Sequence, residues 1–244
     1  MTTITRFAIA PAALLLLAAG CAQAPDSDQA TVGDAQDVQE VAEATTVSIN
    51  TDASAIEWVG TKVTGRHNGS LALSEGTLEL ADGGLVGGSF TIDMNSLTVL
   101  DDAGERLQGH LMSPDFFNVA ENPTATFVIT GAEALEAAPA DGEEVPEISQ
   151  YKVTDPTHTI SGNLTMVGVT KGISFPAKVS IDGNDVEATA KFNINRKDWD
   201  INYAGKPDDL IRDDVHLGLM VTTKAGDMAM DDHADHGDHD GHDH

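Results

Sequence analysis

From about residue 46 onward, apolar side chains recur at every second position. That period of two is the signature of a half-buried β-strand. Ile56 and Trp58 flank Glu57, and Leu78 and Leu80 flank Glu79. Phe90, Ile92 and Met94 alternate with Thr91 and Asp93, and Phe127 and Ile129 alternate with Thr126, Val128 and Thr130. The same pattern joins Ile160, Leu164 and Met166, then Ile173, Phe175, Val179 and Ile181. It returns in Val186, Phe192 and Ile194 and in Val215, Leu217, Leu219 and Val221. Strands with one apolar and one wet face belong to antiparallel sheets, whereas parallel sheets are buried on both sides. No long 3.6-residue period appears between strands, which excludes alternating βαβ units.

Asn68-Gly69, Asp82-Gly83-Gly84 and Asp182-Gly183 read as turns between strands. One helical stretch is expected at about residues 103–118, where Leu107 and Leu111 share a face and Ser113-Pro114 reads as the N-cap and first position of a further short turn. The expected class is therefore all-β, with about eight amphipathic strands and one or two short helices. Such strands close into a barrel or stack as a two-sheet sandwich.

The flanks differ in composition. Residues 1–20 carry Arg6 and then an apolar run ending in Ala18-Ala19-Gly20, which reads as a signal peptide because it is too short to span a bilayer. Leu17-Ala18-Ala19-Gly20-Cys21 resembles the bacterial lipobox, so Cys21 is the expected lipidation site. It is the only cysteine, which excludes an internal disulfide. Ala22 after the cysteine suits outer-membrane sorting, so the expected place is the bacterial cell envelope, as an outer-membrane lipoprotein facing the periplasm. Residues 21–45 are rich in Ala, Asp, Gln and Glu and read as a disordered acidic tether.

The chain carries 40 acidic and 13 basic residues. The acids crowd into residues 22–45, 131–150 and 226–244, which hold six, six and seven of them and no lysine or arginine. This balance excludes nucleic acid as a partner, since phosphates demand Lys and Arg. In residues 226–244, His233, His236, His239 and His242 recur every third position and His244 ends the tail, with aspartates between them. Imidazole and carboxylate together suit Zn²⁺, Cu²⁺ or Ni²⁺, whereas a solvated acidic tail accounts for the same residues without metal. The sequence carries no phosphate loop, nucleophile elbow or His-Glu-x-x-His pair, and the expectation is a protein that is not an enzyme and requires no cofactor.

Three stretches of the 46–225 region resemble the YceI-like family. They are Leu107-Gln108-Gly109-His110-Leu111-Met112-Ser113-Pro114-Asp115-Phe116-Phe117, running on to Asn122-Pro123-Thr124-Ala125-Thr126-Phe127; Ile160-Ser161-Gly162-Asn163-Leu164-Thr165-Met166-Val167-Gly168-Val169-Thr170-Lys171; and Phe192-Asn193-Ile194-Asn195-Arg196-Lys197-Asp198-Trp199, leading to Ile211-Arg212-Asp213-Asp214-Val215. The resemblance implies an eight-stranded, lipocalin-like antiparallel barrel with an elongated apolar cavity. It also implies an isoprenoid-like ligand, and no catalytic residues.

The side chains then expected to face that ligand are Trp58, Phe90, Ile92, Met94, Phe127, Ile129, Leu164, Met166, Phe175, Val179, Phe192 and Ile194, with His110 and Arg196 meeting a polar head. Burying a branched aliphatic chain against them yields roughly 25 cal/mol per Å² without precise hydrogen bonding. The alternative is that the same side chains simply fill the barrel, that His110 is a structural partner, and that Arg196 pairs with Asp198 across a turn. The resulting expectation is an envelope lipoprotein that holds an isoprenoid-like lipid or other apolar amphiphile for storage, transport or stress protection. Its membrane contact is the lipid anchor, and monomer and homodimer are both left open. The rival is envelope metal handling by the tail.

Overall fold

The computed structural model describes residues 23–39, 41–136 and 150–224. The signal peptide, Cys21, the acidic stretch at 137–149 and the His/Asp-rich tail lie outside the described residues. In chain order the elements are β1 (Asp28–Gln29), β2 (Thr31–Gly33), β3 (Thr45–Ser48), β4 (Ala55–Lys62), β5 (Gly65–Ala81), β6 (Gly84–Val99), α1 (Gly104–Met112), β7 (Thr124–Ala134), β8 (His158–Met166), β9 (Val169–Asp182) and β10 (Asp185–Asn195). A 3₁₀ turn at Arg196–Trp199, β11 (Gly205–Lys206) and β12 (Asp209–Thr222) complete them.

Strands β4 to β10 pair successively as an antiparallel meander, and β12 joins β10 to β4. The result is a closed eight-stranded barrel, so the sandwich alternative falls. Closure removes the sheet edges that eight amphipathic strands would otherwise expose. At about 3.3 Å per residue, the 17-residue β5 makes one wall of an elongated barrel.

Tight turns sit at Asp82-Gly83, with φ of 52° and 76°, and at Val167-Gly168, with φ of 50° and 74°. The second was not legible as a turn, because a β-branched residue rarely adopts positive φ. Asn68-Gly69, read from sequence as a turn, lies instead inside β5. There the glycine answers a close approach. A Cβ on Gly69 would meet the Trp58 ring at 2.5 Å and run into the Thr98 carbonyl.

Residues 24–36, read as part of a disordered tether, lie against the barrel wall. Strands β9 and β10 pair from Asp182↔Asp185 to Ala177↔Ala190 and then part. Ala177 turns its carbonyl to Thr157 on the β8 side, so Pro176 faces β10, where it has no N–H to offer. Into the gap come β1, parallel to β10, and β2, antiparallel to β9. Ala30 between them is buried and donates its N–H to Asn193 O at 2.9 Å. The composition was polar because the outer face of this strap is wet. Its ordering comes from main-chain pairing, which composition does not report.

Asn193 ties the strap to the wall. Its Nδ2 donates to Pro25 O at 3.0 Å, and its Oδ1 lies 3.1 Å from His216 Nδ1. His216 is buried, and burial, helped by the charge of Lys191, pulls its pKa from 6.5 down to about 4. Between those values the unfolded chain takes a proton that the folded one refuses, so folding weakens as pH falls. Stability is fully present above pH 6.5 and is expected to drop by on the order of 3 kcal/mol as the pH reaches about 4. Urea melts across that window measure it, and His216→Gln should flatten the slope.

An apolar cavity with one polar corner

The barrel interior is divided along its length. Leu78, Leu80, Leu85, Ile129, Ile160, Val179 and Val186 are buried at the end formed by the β5–β6 and β9–β10 turns. Four phenylalanines from β6, β7, β9 and β10 form a floor across the middle. Phe175 stacks on Phe192 at 4.0 Å, Phe127 lies 5.8 Å from Phe175, and Phe90 lies 6.4 Å from Phe127. Beyond this floor, toward α1, the barrel is hollow. The cavity there measures about 270 Å³. One water needs only about 10–15 Å³ on such a scale, so this is no packing defect.

Ten of the fourteen side chains expected to face a ligand line this cavity: Trp58, Ile92, Met94, Phe127, Leu164, Met166, Phe175, Phe192, Ile194 and Arg196. Ile129 and Val179 point inward as expected but lie behind the floor, and Phe90, itself part of the floor, is buried without lining this cavity. The two sequence alternatives, hollow or filled, thus each hold for one half of the barrel. The lining also takes Ile56, Leu71, Leu97, Ala125 and Ile173 from the wall, and Ile211, Val215, Leu217 and Leu219 from β12. Leu107 and Leu111 of α1, with Phe116 and Phe117 after it, close one side of the mouth. Ser113 ends α1 as its C-cap rather than opening a second helix, although its Oγ still accepts from Asp115 N at 3.3 Å.

His110 does not line the cavity. It packs edge-on against Phe116 and Tyr203, at 5.1 and 4.8 Å, and its Nε2 lies 3.4 Å from Asp115. Arg196 reaches the lining but is only 4% exposed. It donates to Ile201 O, to Arg212 O at 3.2 Å and to Asp213 at 3.3 Å. The partner is Asp213 and not Asp198, because the 3₁₀ turn directs the guanidinium back under β12. Burial pulls the Arg196 pKa down, and the Asp213 charge opposes that.

Sequence reasoning missed the polar corner. Lys62 ends β4 and donates to Asp209 at 2.7 Å, a bond that, with those from Thr64, holds Asp209 below its usual carboxylate range. His67 near the start of β5 places Nδ1 at 3.1 and 3.2 Å from the two oxygens of Asp101. Burial pushes the Asp101 pKa up, but bonds from the N–H groups of Ala103 and Asn68 and from His67 outweigh it and leave the pKa lowered. The signal that could have found this corner is the break in alternation at Gly60, Lys62 and His67, where polar residues and a glycine take inward positions.

The arrangement suits holding an apolar chain. Apart from Gly60, the lining is apolar everywhere but at Thr61, Lys62, His67 and Arg196. Among the described residues, no three His, Cys, Asp or Glu side chains gather to hold a metal ion. The histidines expected to do so (233, 236, 239, 242 and 244) fall outside those residues.

Residues 45–223 match the YceI-like domain. A UPF0312 protein of Pseudomonas paraeruginosa is 34% identical over 110 residues, covering 40% of this chain and 47% of the relative. One from Enterobacter sp. is 34% identical over 119 residues, covering 46% and 50%. The chain thus spans about half the length of the curated relatives it matches. Two solved structures are similar in fold. BcnA of Burkholderia cenocepacia superposes with a TM-score of 0.53 at 17% identity, over 71% of this chain and 98% of its own. A polyisoprenoid binding domain from Saccharophagus degradans, implicated in plant cell wall breakdown, does so at 0.50 and 16% identity, over 74% and 98%.

Proposed function

The chain belongs to the YceI-like family, and on that premise we propose that its barrel holds the chain of an apolar amphiphile, with an isoprenoid-like lipid as the leading class. The observation that carries this reading is the cavity of about 270 Å³ on the α1 side of the phenylalanine floor, lined by Leu, Ile, Val, Met and Phe. A branched aliphatic chain gains roughly 25 cal/mol for each Å² it removes from water there. It needs few directed bonds, which fits a lining with so few polar groups. The polyisoprenoid-binding description of the Saccharophagus domain points the same way.

Cys21 lies two residues before the first described residue and supplies the lipid anchor in this proposal. The chain then works in the bacterial envelope, as an outer-membrane lipoprotein facing the periplasm, in storage, transport or stress protection. Mass spectrometry of the natively extracted protein tests both parts, since it weighs the Cys21 modification and any co-purifying lipid. Leu217, half-buried opposite Trp58, offers a way to block the cavity. Leu217→Trp fills space that is already empty, so the fold should hold while lipid binding falls about tenfold or more. Val215→Phe provides a second blocked variant. Unaltered lipid retention in both would overturn the reading.

A second reading rests on the tail alone, with His233, His236, His239, His242 and His244 as ligands for Zn²⁺, Cu²⁺ or Ni²⁺. Calorimetry with each metal, before and after removal of residues 226–244, separates it from the first.

A further inference from the structure

The strap, residues 25–36, is held to the barrel by polar clamps at its two ends. At the first, Pro25 O accepts from Asn193 Nδ2 at 3.0 Å, Ser27 Oγ donates to Tyr151 O at 2.6 Å, and Asp26 pairs with Lys152 at 3.2 Å. At the second, Asn163 grips the main chain of Gln36 as a neighbouring strand would. Its Oδ1 accepts from Gln36 N at 2.8 Å, and its Nδ2 donates to Gln36 O at 2.7 Å. Thr130 Oγ1 donates to Gln36 Oε1 at 3.0 Å. Gly172 leaves room beneath, since a Cβ there would run into Asp34 O. The flank is thus shaped for one extended segment.

The hold is polar and shallow. Of the described residues from 23 to 39, only Pro25 and Ala30 are buried. Segments with few buried apolar contacts open locally at far lower cost than the whole fold. The barrel keeps its own fastenings across the gap. Phe175 stacks on Phe192 at 4.0 Å, and Trp199 Nε1 donates to Leu164 O at 3.0 Å. The strap also lies outside residues 45–223, which match the YceI-like domain.

Docking changes how far the chain reaches from its anchor point. With the strap docked, four peptide steps separate Cys21 from Pro25, a span of at most about 14 Å. With it released, twenty-four steps separate Cys21 from Thr45, where β3 begins, a span of up to about 80 Å.

We propose that the strap is a reversible clasp that sets the length of the membrane tether. Docked, it holds the barrel by its β9–β10 flank close to the bilayer. Released, it lets the folded barrel range several times farther. This rests on Cys21 carrying the lipid anchor and is independent of what the cavity holds.

Trp58 and Trp199 are the chain's two tryptophans, and both belong to the barrel. Energy transfer from them to dansyl-phosphatidylethanolamine, in vesicles carrying the full-length lipidated protein, therefore reads the barrel's height. Thr31 and Ser174 stand opposite each other on β2 and β9, so Thr31→Cys with Ser174→Cys locks the strap when oxidised. Gly172→Val and, separately, Ala30→Glu release it. Transfer should be at least about twofold stronger in the locked form than in either released form. In the unaltered protein, the Ala30 amide should exchange its hydrogen at least about tenfold faster than the amides of β8. Thermal melts verify that each barrel is folded, and Ala30→Glu stands alone if Gly172→Val is not. An Ala30 amide as slow as those of β8 makes the strap a fixed strand and overturns the proposal. Equal transfer from locked and released forms overturns it too. Protein that bears no lipid on Cys21 and stays off the vesicles removes the anchor reading and this inference together, leaving the cavity reading untouched.

Discussion

Replacing Phe192 with alanine should lower the unfolding free energy by about 3–5 kcal/mol and deepen the cavity at the same time. Phe192 is 2% exposed and stacks on Phe175 at 4.0 Å. It sits where three elements meet, opposite Leu217 of β12 and Asp28 of the strap. Truncation therefore removes buried ring surface and leaves a void. That void opens into a cavity that is already hollow, so the surroundings have little to collapse against, which favours the upper part of the range. For a domain of this size the melting temperature should fall by about 10 °C. Urea melts give the energy, and native mass spectrometry gives the longest chain held. A loss under about 1 kcal/mol, as at an exposed site, would mean that the floor is not packed as described.

Arg196→Met should cost about 3–5 kcal/mol, although methionine fills much of the same volume. The guanidinium donates to two main-chain carbonyls and to Asp213, and it joins the 3₁₀ turn to β12. Removing it strands those acceptors in a place that water scarcely enters. Because methionine is apolar, the lining stays suited to a chain, and binding by the folded fraction should be little changed. A ligand head-group contact would give the opposite pattern, with stability kept and affinity lost. Denaturant melts beside dye titrations separate the two.

The alternation of apolar residues made the barrel legible before any contact was known. Strand identity, antiparallel pairing and the inward direction of Trp58, Phe127, Phe175, Phe192 and Leu217 are local properties, set by a side-chain period of two. Turns with glycine at positive φ, such as Asp82-Gly83, are local in the same sense. Asn68-Gly69 misled because one residue type answers two demands, left-handed backbone and close approach, and only the Trp58 ring decides between them.

The candidate site was legible in part. Of the inward residues, Phe90, Ile129 and Val179 carry the same signal as Ile92 and Leu164, yet Phe90 belongs to the phenylalanine floor and the other two lie beyond it. Which half is hollow depends on how side chains from four strands meet across the barrel. His67 and Asp101 lie 34 residues apart, and Lys62 and Asp209 lie 147 apart, so no local pattern could pair them.

The sequence by itself determined the strands, their two faces and their antiparallel order, because each follows from the period and composition of neighbouring residues. Tertiary structure alone decided where the interior is empty, which polar groups reach it, that Arg196 turns to Asp213, and that residues 28–33 fill the gap where β9 leaves β10. These are outcomes of long-range packing and main-chain pairing, in which the deciding partner is remote along the chain.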